Sequence, residues 1–88
     1  MKLIFCTACQ DVVKLQREPR TCACGKAKGW YMDNGVQAHV EGTAIPLGFN
    51  NPDLLAALKG RPEEGLGARF TAFVIPHRCL NVNEGERT

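Results

Sequence analysis

Four of the five cysteines fall in two tight pairs, Cys6-Thr7-Ala8-Cys9 and Cys22-Ala23-Cys24-Gly25, separated by twelve residues. This spacing constrains the 88-residue chain more than any other feature. Two short chelating loops bring four soft ligands to one point at little entropic cost, and four thiolates suit a tetrahedral metal such as Zn²⁺. Cys6, Cys9, Cys22 and Cys24 are therefore the candidate ligands of one structural zinc ion. Cys22-x-Cys24 is a tighter bite than the usual second loop, yet its two sulfurs can still share a metal. The competing readings are four unrelated buried cysteines, or two disulfides of a secreted miniprotein. The opening Met1-Lys2-Leu3-Ile4-Phe5 is apolar for only three residues before Cys6, too short for a secretory signal. A cytoplasmic setting is expected, and there clustered cysteines mean metal more often than disulfide.

A chain of this size buries a modest share of its surface, so its apolar core leaves a thin margin of stability that a metal can widen. With 44% hydrophobic and 23% charged residues it has the composition of a folded domain. No apolar run reaches the length of a membrane-spanning helix. One domain over residues 1–82 and a flexible polar tail at 83–88 are expected.

Charge is unevenly spread. Residues 1–28 carry a formal +4, residues 29–65 a formal −3, and the whole chain +2. Four thiolates around Zn²⁺ add a charge of about −2, because only deprotonated cysteine binds. The metallated protein is then near neutral, which weakens the nucleic-acid reading that a sequence pI of 8.4 invites.

Along the chain, Leu3-Ile4-Phe5 reads as a strand into the first cysteine turn, and Asp11–Leu15 as its return. Residues 16–21 are polar and contain Pro19, hence loop, and Gly25 is placed to supply the positive φ of the second turn. Lys28–Asp33 and Val36–Leu47 flank Asp33-Asn34-Gly35, a strong hairpin signal. Val36, Ala38 and Val40 alternate with Gln37, His39 and Glu41, one face dry and one wet. Asn51-Pro52-Asp53 predicts a helix with Asn51 as cap, Leu54, Leu55 and Leu58 as its apolar face, and Gly60 and Pro62 as its end. Arg69–Ile75 is apolar on both faces, the pattern of a central strand closed by Pro76.

The segment with Cys6, Cys9, Cys22, Cys24 and Gly25, about a third of the chain, resembles a zinc ribbon of the broad rubredoxin-like group. The resemblance implies a structural metal at those cysteines. It does not imply electron transfer, because the second loop is one residue short of the rubredoxin pattern and Gln10 follows the first. The remaining two thirds resemble small bacterial or phage proteins with a Cys-x-Cys-Gly segment and a stretch like Ile45-Pro46-Leu47-Gly48-Phe49. That second resemblance carries no function with it.

Other features are weaker. Cys79 and His77 are substitute ligands only if the Cys22-x-Cys24 bite is strained; otherwise Cys79 is an inert thiol at a strand end. His39 and Glu41 share a strand face and have the makings of an acid–base pair, but a solvated face explains them as well. Gly42–Asn51 leads into a helix start that can hold an anion, or is simply a strand turning into a capped helix. Lys14, Arg17, Arg20, Lys26 and Lys28 surround the metal turns, with Trp30 and Tyr31 nearby. Such residues contact phosphates and stack bases on many ribbons, or form a rim that balances the anionic metal cluster.

The expectation is an α+β fold, a small zinc ribbon continued by an antiparallel sheet with one short helix. Its function is expected to be non-enzymatic: docking on a macromolecule, a protein in preference to nucleic acid, with no membrane role. The candidate partner surface is Trp30, Tyr31, Arg17, Arg20, Lys26 and Lys28. The alternatives are a nucleic-acid-binding ribbon, and small-ligand binding or catalysis near Gly42–Asn51.

Overall fold

The computed structural model describes residues 1–77, 79 and 81–84. Two four-stranded sheets face each other. Sheet A has the order β2-β1-β6-β7, with β1 Lys2–Cys6, β2 Val12–Lys14, β6 Ala44–Phe49 and β7 Ala72–Val74. Sheet B has the order β3-β4-β5-β8, with β3 Arg20–Thr21, β4 Ala27–Tyr31, β5 Ala38–Gly42 and β8 Val82–Glu84. One helix, α1 Asn51–Lys59, follows β6. Every described pairing is antiparallel except that of β5 with β8. Mixed sheets with one short helix agree with the α+β expectation.

The core lies between the sheets. Ile4 and Cys6 of β1, Val13 of β2, and Ala44 of β6 meet Ala27 of β4 and Ala38 and Val40 of β5, with Leu15, Ile75 and Val82 closing the ends. These are the inward positions of period-two strands. Alanine at several of them lets the sheets approach closely.

The predicted strand Val36–Leu47 is two strands in two different sheets. Gly42 has φ +72°, and a Cβ there would lie 2.0 Å from the Lys26 carbonyl oxygen. The left-handed backbone and this close approach break the run, so β5 ends in sheet B and β6 starts in sheet A. Period-two alternation continues through the break, which is why the pattern alone shows one strand. The hairpin at Asn34-Gly35 is present, with register Trp30↔His39 and Tyr31↔Ala38. Its loop is longer than a two-residue turn: Asn34 Oδ1 accepts from the amides of Val36 and Gln37, both at 2.9 Å.

Other predicted elements shift. Asn50, not Asn51, caps α1, its Oδ1 accepting the Asp53 amide at 3.0 Å. The Arg69–Ile75 run yields only β7, an edge strand whose three residues are all exposed, rather than a central one. Arg20–Thr21, read as loop, adds a short edge to sheet B. β8 takes in Asn83 and Glu84, two residues assigned to the tail. Tail positions 85–88 lie outside the described residues. Pro46 sits inside β6 because its nitrogen faces β7, where its carbonyl accepts the Ile75 amide at 2.9 Å, and the ladder to β1 needs no donor from it. Among the described residues no helix is long and apolar enough to cross a membrane.

Candidate metal centre

The two cysteine turns belong to different sheets. Cys6 ends β1 in sheet A, and its turn closes when the Gln10 amide donates to the Cys6 carbonyl at 2.7 Å, with Gln10 left-handed at φ 62°. Cys22 and Cys24 lie between β3 and β4 in sheet B. There the Gly25 amide donates to the Cys22 carbonyl at 3.1 Å, with Gly25 at φ +80° as its position predicts. The same plan, a left-handed residue just after the second cysteine, therefore serves both turns.

The four Sγ atoms all lie within 4.8 Å of one another. Cys22 and Cys24 are 3.4 Å apart and Cys6 and Cys24 3.7 Å apart, sulfur to sulfur. A tetrahedral ion with metal–sulfur bonds of about 2.3 Å needs sulfur–sulfur edges of about 3.8 Å. None of the four is in a disulfide. Cys6 and Cys22 are buried, Cys9 is half-buried and Cys24 is exposed, so one candidate ligand lies at the surface.

Backbone amides point at the buried sulfurs. The Cys9 amide donates to Cys6 Sγ and the Ala27 amide to Cys22 Sγ, each at 3.4 Å. Such donors stabilise thiolate and orient it. Two residues outside the cysteine pattern join the turns. Thr43, in the link from β5 to β6, has its hydroxyl 3.2 Å from Cys6 Sγ, donates its amide to Lys26 O at 3.0 Å, and accepts the Thr7 amide at 3.3 Å. Asp11 Oδ2 accepts the Ala23 amide at 2.9 Å, tying the first turn to the second. Thr43 could not be read from sequence, since the crossing between the two sheets brings it to the cluster; Asp11 lies in the first turn itself, its carbonyl accepting the Cys6 amide at 2.9 Å.

The thiols of the cluster differ in acidity. The Thr43 hydroxyl, helped by the Cys9 and Ala8 amides, outweighs burial and lowers the Cys6 thiol to about 6. Burial raises Cys22, but the Ala27 amide and the Cys24 thiol bring it below its ordinary value. At Cys24 the Lys26 amide favours thiolate, yet Cys22, burial, Cys9 and Cys6 prevail and push it up to about 12. Cys6 and Cys22 thus give up their protons more readily than Cys24, and a bound dication favours the thiolate at each.

Cys79 and His77 lie apart from this group. Cys79 packs against the core and bridges to Val82, and His77 is 90% exposed with Nδ1 3.8 Å from the Glu84 carboxylate. The candidate partner residues divide. Trp30 and Lys28 lie on the outer face of sheet B, where the Trp30 ring meets His39 at 4.6 Å and the Lys28 ammonium stands 5.7 Å from the Trp30 centroid. His39 in turn contacts Glu41 at 3.2 Å. Tyr31 faces the other way: its hydroxyl accepts the Lys2 amide at 2.8 Å, pinning sheet B to sheet A. Arg17, Arg20 and Lys26 are exposed, and Arg17 lines a shallow cleft with Pro19, Trp30 and Asp33. Gly42–Asn51 is almost wholly strand β6, and the α1 start is filled by its own Asn50 and by Asp53, whose carboxylate accepts the Thr71 amide.

The chain matches no family model, no curated protein and no solved structure.

Proposed function

We propose that this protein is a non-enzymatic zinc protein: one ion on Cys6, Cys9, Cys22 and Cys24 fastens the two sheets in a ribbon-like end, and the assembled surface docks on another protein. The observation that carries the metal reading is the convergence of four sulfurs within 4.8 Å from turns on two different sheets. Four thiolates fill a tetrahedron and leave no position for a reactive water, which argues for structure over catalysis. The docking reading is supported by Trp30, a half-buried aromatic on the outer face of sheet B among Lys28, His39 and Glu41. Large aromatics in such mixed surroundings are common interface anchors. Elemental analysis of protein purified under reducing conditions tests the metal: about one zinc per chain is expected, and metal-free folded protein would refute it. Affinity capture from the native host, zinc-loaded wild type against Trp30→Ala, tests the docking; an identical set of captured proteins would refute it.

A further inference from the structure

The two cysteine loops are not equally protected. In the first, Cys6 is buried and Cys9 half-buried. In the second, Cys22 is buried but Ala23, Cys24, Gly25 and Lys26 are all exposed. Cys24 is thus the one cysteine of the four that stands in solvent. It also has two close sulfur neighbours, Cys22 Sγ at 3.4 Å and Cys6 Sγ at 3.7 Å.

Access from solvent and a second sulfur within reach are what an oxidation site that ends in a disulfide requires of geometry. Its chemistry requires a thiolate. Without a metal the Cys24 proton is held firmly, but a bound dication takes each of its ligands as thiolate. The metal-loaded protein therefore presents an accessible thiolate at Cys24 while Cys6 and Cys22 stay buried.

The second loop also has room to rearrange. A Cβ at Gly25 would meet nothing within 4 Å, so no packing locks the backbone beside Cys24. A disulfide brings its sulfurs to about 2.0 Å, and the Cys22–Cys24 pair can close that gap inside one exposed loop. Joining Cys6 to Cys24 would instead draw the end of β1 in sheet A onto a loop of sheet B. Cys6 Sγ is moreover held by the Thr43 hydroxyl at 3.2 Å and the Cys9 amide at 3.4 Å.

We infer, on the footing of the four-thiolate metal site, that Cys24 is an oxidation site for hydroperoxides and Cys22 its resolving partner, so that the metal link between the sheets is reversible by redox. With hydrogen peroxide, the Cys24 thiolate attacks one oxygen. An S–O bond forms, the O–O bond breaks and hydroxide leaves, which gives a sulfenic acid on Cys24. The Cys22 thiolate then attacks the Cys24 sulfur; the S–S bond forms, the S–O bond breaks and a second hydroxide leaves. Two electrons pass from the sulfur pair to the peroxide. Cys6 and Cys9 remain, two thiolates where a closed site needs four. The ion is released and the sheets lose their shared fastening until a dithiol reduces the bond.

Hydrogen peroxide added to the reduced, zinc-loaded full chain tests this. Zinc content is measured beforehand, released zinc is read with a chromophoric chelator, and disulfides are mapped by peptide mass spectrometry. The expected result is release of about one zinc per Cys22–Cys24 disulfide, with zinc bound again after a dithiol reductant. Cys24→His keeps a zinc ligand but removes the exposed sulfur, and its zinc release should be at least about tenfold slower. Cys79→Ala should release zinc as the wild type does. A folded chain that binds no zinc would remove the metal site itself and the oxidation site with it. A zinc-loaded chain that keeps its ion while Cys79 alone is oxidised, or whose disulfide omits Cys24, would overturn the oxidation site and leave the metal site standing. A Cys6–Cys24 bond would overturn the role of Cys22. Equal release rates in the wild type and Cys24→His would overturn the role of Cys24; if that variant does not hold zinc, the disulfide mapped in the wild type decides alone.

Discussion

The hydroxyl of Thr43 lies 3.2 Å from Cys6 Sγ, although the two residues are 37 positions apart and Thr43 belongs to the link between the sheets. It is the largest influence lowering the Cys6 thiol to about 6. Thr43→Val keeps the shape and removes the donor. Zinc affinity should fall about 10–100-fold, the usual effect of losing an outer-shell partner, as read by competition with a chromophoric chelator. The pH direction follows from the same contact. Cys6 is depressed in the folded state against an unfolded value near 8.5. Its contribution is therefore present above about 8.5 and is lost as pH falls through about 6. Removing the donor raises the Cys6 value, so the midpoint of acid-induced zinc release should move to higher pH in Thr43→Val. An unmoved midpoint would show that the hydroxyl does not act on this sulfur.

Cys9 and Cys79 should separate cleanly. Cys9→Ser removes one of four converging sulfurs, and in a domain with a small core metal-binding free energy is largely folding free energy. The N-terminal third should lose its structure and its zinc. Cys79→Ala touches a half-buried thiol outside the cluster, so zinc content should be unchanged and stability should fall by no more than about 1–2 kcal/mol. Zinc binding lost in Cys79→Ala but kept in Cys24→Ala would mean the fourth ligand is misassigned.

What the sequence reveals and conceals has a physical pattern here. The cysteine pairs, the Gly25 turn, the β1–β2 return and the Asn34-Gly35 hairpin are local, each specified within about a dozen residues, and all are legible. The failures are non-local. Gly42 reads as one more residue in a long alternating strand, and only its approach to Lys26 O reveals a crossing between sheets. The Arg69–Ile75 run has the apolarity of a central strand but lies at an edge, because an apolar run reports uncovered surface as readily as buried surface. Thr43 has no signal of its own: a threonine 37 positions from Cys6 meets its sulfur only when the topology carries it there.

Gly42 and Gly25 give a graded test of that crossing. Both have positive φ, but a Cβ at Gly25 would meet nothing within 4 Å, whereas one at Gly42 would lie 2.0 Å from the Lys26 carbonyl oxygen. Gly25→Ala should cost only backbone strain, about 1–2 kcal/mol. Gly42→Ala adds a clash with main chain that cannot rotate away, and it separates Thr43 from Lys26 beside the metal turns. A loss of at least about 3 kcal/mol is expected, together with weaker zinc binding. Urea denaturation of the zinc-loaded variants would decide it, and equal losses at the two positions would mean the chain does not cross between sheets at Gly42.

Partner class turns on Trp30 against the basic rim. Generic nucleic-acid affinity comes mostly from neutralised phosphates and released counterions. A metal held by the four thiolates would cut the N-terminal basic excess, residues 29–65 are net acidic at −3, and Glu41 stands beside His39 on the Trp30 face. Binding to random-sequence DNA or RNA at physiological salt should accordingly be no tighter than about 10⁻⁵ M. Protein docking makes no such demand on charge; it needs a central anchor, and Trp30 is placed as one. Trp30→Ala should therefore reduce partner capture more than Arg17→Ala combined with Arg20→Ala. Tyr31→Ala is a different experiment, because its hydroxyl holds the Lys2 amide and its loss also loosens the contact between the sheets. Zinc content and thermal stability measured on each variant separate lost docking from lost folding. Sub-micromolar, salt-sensitive binding to random-sequence nucleic acid that disappears in the Arg17/Arg20 double variant would reverse the ranking and make the basic rim the binding surface.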